Sequence, residues 1–271
     1  MTDEWQGRTL ELDGAVISYS ELPGDGPVIV YAHGLSSSRS ADDRRGIIDF
    51  TPITESGRRF IRYDARGHGR STGRAVPDDY LWDRLADDLL ALADAVSPDE
   101  PIVVFGTSMG TGTALHAVAK RPDRISALVL SAVPTAWELR AAQAGLYEQF
   151  ATAVETNGAE YLESMLENAP AVPIFADLEV EQFGPDIPEA LQPSVFRGAA
   201  RTDFPSRDIV ARTTTPTLVL SWDTDPSHPV SVGAEVHSLI AASEFRVAET
   251  SAEVRTWGAA AADFVAALAE R

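Results

Sequence analysis

The stretch Ile102-Val103-Val104-Phe105-Gly106-Thr107-Ser108-Met109-Gly110 decides the fold of this chain. Four consecutive apolar residues with no polar alternation predict a strand covered on both faces. Beyond Gly110, Ala114, Leu115 and Val118 continue as a helix that Pro122 ends. Gly-x-Ser-x-Gly between strand and helix sets a serine on a tight turn, and the glycines permit the two elements to approach closely. The Ser108 hydroxyl is then expected at a helix N-terminus, whose unpaired N–H groups favour developing negative charge.

Further strands are predicted on either side of that stretch. Val28-Ile29-Val30-Tyr31-Ala32, Phe60-Ile61-Arg62-Tyr63 and Ile125 to Leu130 read as buried strands, and Thr217 to Leu220 and Phe245 to Val247 add two more. Thr9 to Leu12 and Ala15 to Tyr19 flank Asp13-Gly14, a hairpin signal that predicts an antiparallel edge. Apolar residues at 81, 85, 89, 92 and 96 mark a helix over Tyr80 to Val96, and Trp257, Ala261, Phe264 and Leu268 mark a terminal one. Strands alternating with helices imply a doubly wound α/β sheet. From Pro134 to Pro205 the rhythm stops. Glu138 to Leu166 reads as helix, followed by six prolines among Phe175, Phe183, Phe196 and Phe204. The division expected is a core over 1–133 and 206–271 with a cap inserted over 134–205.

Composition excludes several function classes. The 271 residues carry 22 Lys+Arg against 41 Asp+Glu, a net charge of −19, with no cysteine and five histidines. Zero cysteine removes disulfide frameworks, thiolate metal sites and a catalytic thiol. A pI near 4.5 argues against nucleic acid and anionic membrane as partners, because that binding needs clustered Lys/Arg. Mean hydropathy of −0.09 suits a chain with a sizeable core, and no run of about 18 apolar residues appears. Met1 to Arg8 lacks an apolar leader. These features predict a cytoplasmic protein with a small-molecule substrate, no cofactor and no metal; its oligomeric state, a homo-oligomer included, is left open.

The chain resembles the α/β-hydrolase superfamily over essentially its full length. The strand–Gly106-to-Gly110–helix unit looks like that family's nucleophile elbow, His33-Gly34-Leu35 like its oxyanion loop, and Arg62 to Ser71 like the loop after the next strand. Pro216 to Pro226 resembles the strand and turn that deliver its acid. The resemblance implies the α/β-hydrolase fold, with a mostly parallel sheet, an antiparallel N-terminal hairpin, helices on both faces and a helical cap. It implies Ser108 as nucleophile, Asp225 as acid, and the Leu35 and Met109 amides as oxyanion hole. Histidine at the place of His33 usually orders the loop; His33, Gly34 and Trp137 are the candidates to meet the substrate.

The pattern departs at the base. The family keeps a histidine after its last strand, but here no histidine follows His237. Counting puts Glu253 near that place, with Glu249 as the alternative for a shorter loop. His228, three residues past Asp225, lies in a loop that should open onto the same face. His68, His116 and His237 are expected in structural roles. A carboxylate of ordinary pKa, about 4.3, is a poor base for a serine hydroxyl. The leading expectation is therefore a serine-dependent ester or lactone hydrolase for a small apolar substrate, with a non-standard or incomplete triad. A lyase, isomerase or cyclase on the same scaffold, and a ligand-binding pseudoenzyme, are the alternatives.

Overall fold

The computed structural model describes residues 5–178 and 184–269; Phe183, counted above among the aromatics of the excursion, lies outside them. The strands are β1 (Gln6–Leu12), β2 (Ala15–Leu22), β3 (Asp25–Ala32), β4 (Arg58–Tyr63), β5 (Ile102–Thr107), β6 (Ile125–Ser131), β7 (Thr217–Trp222) and β8 (Ser243–Ala248). They form one sheet in the order β1-β2-β4-β3-β5-β6-β7-β8. The hairpin β1–β2 and the β2–β4 pair are antiparallel, and every pair from β4 to β8 is parallel.

The central strands are apolar throughout because alternate side chains serve two cores. Val30 and Ala32 of β3 and Val104 of β5 point into one, shared with helices α3 (Trp82–Val96), α4 (Met109–Lys120) and α9 (Val230–Leu239). Ile29, Tyr31, Val103 and Phe105 point into the other, shared with α2 (Thr51–Thr54) and α11 (Trp257–Ala269). The remaining helices are α1 (Arg39–Arg45), α5 (Arg140–Asn157), α6 (Ala159–Glu167), α7 (Gln192–Ala200), α8 (Arg207–Val210) and α10 (Ser251–Arg255).

Three local departures from the sequence reading have physical causes. Helix α3 begins at Trp82, after a 3₁₀ turn over Pro77–Tyr80. The Trp82 N–H donates to Thr202 Oγ1 at 3.1 Å, so a distant residue supplies the partner that a local cap would give. The helix expected over Glu138 to Leu166 is two, separated by Gly158 at φ 87°, a backbone angle that ends α5. Helix α7, unforeseen among the prolines, carries Pro193 in its first turn, where the missing N–H costs nothing. Among the described residues no strand occurs between β6 and β7.

Candidate active site

Ser108 sits between β5 and α4 at φ 54°, ψ −110°, a strained conformation for a residue with a Cβ, costing on the order of 1–3 kcal/mol. Contacts around it hold the turn. Ser108 N–H donates to Ser131 O of the neighbouring strand at 3.0 Å, and Thr111 N–H donates back to Ser108 O at 2.9 Å. The glycines are required by close approach: a Cβ on Gly106 would lie 2.4 Å from Gly110 O, and one on Gly110 2.0 Å from Ala32 O. The strain and the crowding together aim the hydroxyl off the carboxyl ends of the strands.

A second turn meets it there. His228 Nε2 is 2.9 Å from Ser108 Oγ, and His228 Nδ1 is 2.7 Å from Asp225 Oδ2. An ionised carboxylate only accepts, so Nδ1 carries the ring proton and Nε2 is left to accept from the serine hydroxyl. Both members of this pair lie within Asp225-Pro226-Ser227-His228, closed by His228 N–H donating to Asp225 O at 3.1 Å and Ser227 N–H to Asp225 Oδ1 at 2.8 Å. Trp222 completes the surroundings of the acid, its Nε1–H donating to Asp225 Oδ2 at 3.0 Å. Burial by itself would raise the Asp225 carboxyl. The hydrogen bond and charge of His228, then the Ser227 and Trp222 donors, outweigh it and hold the group below the ordinary carboxylate range.

Trp222 also packs edge-on to His228 with centroids 5.3 Å apart and stacks on Trp257 at 5.3 Å. It was missed in the sequence because a tryptophan ending a buried strand reads as core. The excursion reaches the same turn from the other side, through Ile174 N–H on Thr224 Oγ1 at 3.0 Å and Thr135 N–H on Ser227 O at 3.0 Å.

Leu35 lines the cavities at Ser108, and Met109 follows Ser108 in the chain. Met109 opens α4, so its N–H has no acceptor within the helix. Gly34 packs directly on the serine, a Cβ there lying 3.4 Å from Ser108 Cβ. Two cavities meet at this point, both lined by Leu35, Ile47, Ser108 and His228. One, about 170 Å³, extends beneath Tyr31, Ile48, Phe50 and Trp222. The other, about 420 Å³, runs under the excursion, against Tyr147, Phe150, Leu166, Phe175 and Phe196.

Three expected site residues stand elsewhere. Glu253 is exposed in the first turn of α10, where Thr250 Oγ1 caps its N–H and its own Oε2 accepts from Glu249 N–H at 2.7 Å. It is a helix-capping carboxylate, and it lines neither cavity. His33 is buried, with Nδ1 donating to Gly34 O at 2.7 Å and Nε2 accepting from Ala65 N–H at 2.9 Å. Both nitrogens are thus used to tie two loops together, away from the substrate space. Trp137 anchors the base of the excursion, donating from Nε1 to Pro205 O and packing on Phe204.

The other histidines lie apart from Ser108's hydrogen bonds. His68 is fully buried, and desolvation, then the neighbouring His33, pushes it down to about 3. His116 binds Asp203 O, and His237 binds Ser243 Oγ. Among the described residues, no group of three or more His, Asp or Glu side chains could hold a metal ion, and no helix is long and apolar enough to cross a membrane.

Comparison with known proteins finds relatives in sequence and in fold. A stretch of 131 residues, 47% of the chain, is 34% identical to a bifunctional esterase/perhydrolase of Acinetobacter calcoaceticus, covering 45% of that protein. A lysophosphatidylserine lipase of Xenopus tropicalis is 32% identical over 44% of the chain and 28% of its own length. The chain spans less than half the length of these curated relatives. Among solved structures, a hydrolase from Pseudomonas aeruginosa superposes with a TM-score of 0.77 at 22% identity, over 98% of this chain and 99% of that one. An enol-lactonase from Burkholderia xenovorans gives 0.74 at 22% identity, over 96% and 100%. The family model described as alpha/beta hydrolase fold matches residues 27–253, and the chain belongs to that family.

Proposed function

We propose that this protein is a serine hydrolase of carboxylic esters or lactones acting on a small apolar substrate, with Ser108, His228 and Asp225 as its triad. The observation that carries this reading is the continuous hydrogen-bonded path from Ser108 Oγ through both nitrogens of His228 to Asp225. In the first half-reaction Ser108 Oγ attacks the carbonyl carbon while His228 Nε2 takes its proton. The Leu35 and Met109 amides stabilise the oxyanion. The C–O bond to the alcohol then breaks, and His228 returns the proton to the leaving oxygen. In the second, water attacks the acyl group through the same base, releasing the acid and restoring Ser108. Asp225 holds the imidazole in the productive tautomer and stabilises its cation.

The non-hydrolytic and pseudoenzyme alternatives rest on a missing base, and His228 within hydrogen-bond reach of Ser108 favours the hydrolytic reading over them. A pure binder has no use for a serine held at positive φ. The partial relative named an esterase/perhydrolase is consistent with ester chemistry. Residues 134–205 serve in this reading as the cap. The test is hydrolysis of short-chain aryl esters together with labelling by a fluorophosphonate. Turnover and stoichiometric labelling are expected in the parent, and neither in Ser108→Ala. A parent that does neither would overturn the proposal.

A further inference from the structure

The two cavities that meet at Ser108 differ in size and in the origin of their walls. The smaller is bounded partly by the sheet core, where Tyr31 is 2% exposed and Trp222 7%, and otherwise by Ser37, Asp42, Arg45, Ile47, Ile48 and Phe50. Tyr31 packs edge-on against Phe50 at 4.7 Å and Phe105 at 5.3 Å. Trp222 is pinned by its stack on Trp257 and its bond to Asp225. Close-packed walls of this kind yield little to an oversized guest. Its volume of about 170 Å³ is close to that of an apolar protein cavity of ~150 Å³ that holds one benzene ring. The larger, about 420 Å³, is walled on its far side by side chains of the excursion. An ester carbonyl carbon bound at Ser108 sends two limbs, acyl and alkoxy, in divergent directions.

Building on the hydrolase reading, we infer that the substrate is an open-chain ester with one limb restricted to about six carbon atoms, or a single ring, in the Tyr31–Phe50–Trp222 chamber. The other limb is longer, apolar and accommodated under the excursion. Ile48 sets the limit of the small chamber: it lines that space and not the larger one, and it is half-buried, so its side chain can change without emptying the core. An unsubstituted lactone ties both limbs into one ring and leaves one chamber unused.

The experiment is a matrix of esters in which acyl and alcohol lengths vary independently, assayed as kcat/KM. A loss of at least about 10-fold is expected on passing the limit on one limb, since a methylene in an apolar pocket is worth roughly 10- to 200-fold. The other limb should tolerate several further carbons. Ile48→Ala should move the limit to longer groups and Ile48→Trp to shorter ones. Equal tolerance on both limbs, an unmoved limit in both variants, or an unsubstituted lactone cleaved better than every open-chain ester would overturn the inference while leaving the hydrolase reading intact. Failure of that reading looks different: no ester of any size is cleaved and Ser108 is not labelled.

Discussion

The turns after β7 and β8 leave neighbouring parallel strands side by side, Trp222 standing opposite Ala248 in register, yet they do different work. The first folds inward. Asp225 and His228 occupy a single hydrogen-bonded turn with prolines at 226 and 229, the Asp225 carboxylate meeting one nitrogen of His228 and Ser108 the other. The second runs outward through exposed Glu249 and Thr250 and ends in the reciprocal capping of α10. An acid and a base only three residues apart can be oriented by one turn's own hydrogen bonds, with proline φ angles fixed in advance. No long second loop need be ordered to bring them together, and the turn after β8 is free to be only a helix start.

Substitutions test that contrast, beginning with the largest effect. Ser108→Ala or His228→Ala should each lower kcat by about 10⁴- to 10⁶-fold, and the double variant should lose little more, because the members act as a unit. Full additivity measured in steady-state kinetics would break the claim that the turn after β7 supplies the base. Asp225→Asn should cost about 10³- to 10⁴-fold with protein fold intact by circular dichroism, through loss of the productive tautomer.

Trp222→Phe keeps a ring but removes the donor to Asp225. A hydrogen bond to a charged group is worth about 1.5–3 kcal/mol, so kcat should fall roughly 10-fold or more. The pH dependence of stability has a definite sign. Because the folded Asp225 carboxyl lies below its ordinary value, its contribution is complete above that ordinary value and is lost as pH falls through the folded one. Removing the Trp222 donor raises the carboxyl, and urea titrations across the acid range should show a smaller loss in the variant.

Glu253→Ala should have the smallest effect: kcat/KM within about twofold of the parent, and a Tm lower by no more than about 2–4 °C from the weakened cap. A thousandfold loss of activity would instead make the turn after β8 part of the site.

Strand and helix identities were legible because they rest on local pattern. The unbroken apolar runs at Val28 to Ala32 and Ile102 to Phe105 demand cover on both faces, and both lie between the two cores. Where capping comes from afar, as Thr202 caps Trp82, the boundary was not legible. At the site, Ser108 was readable from glycines whose spacing records a close approach. Which of His228 and Glu253 lies beside Ser108 was not, because counting along the chain assumes a standard loop length. Trp137 stands away from the substrate space for a related reason: its residue type suits a pocket, but its ring N–H goes to Pro205; His33 meets Gly34 and Ala65 instead of substrate and orders the loops, the role its place in the sequence implies.

The amino-acid sequence by itself thus determined the alternating sheet, the hairpin and the strained serine turn, since hydrophobic period and glycine placement act within about a dozen residues. Only the tertiary structure placed His228 against Ser108. His228 is 120 positions from Ser108, and its role depends on two turns from adjoining parts of the sheet meeting within hydrogen-bond distance, a relation set by strand order and packing.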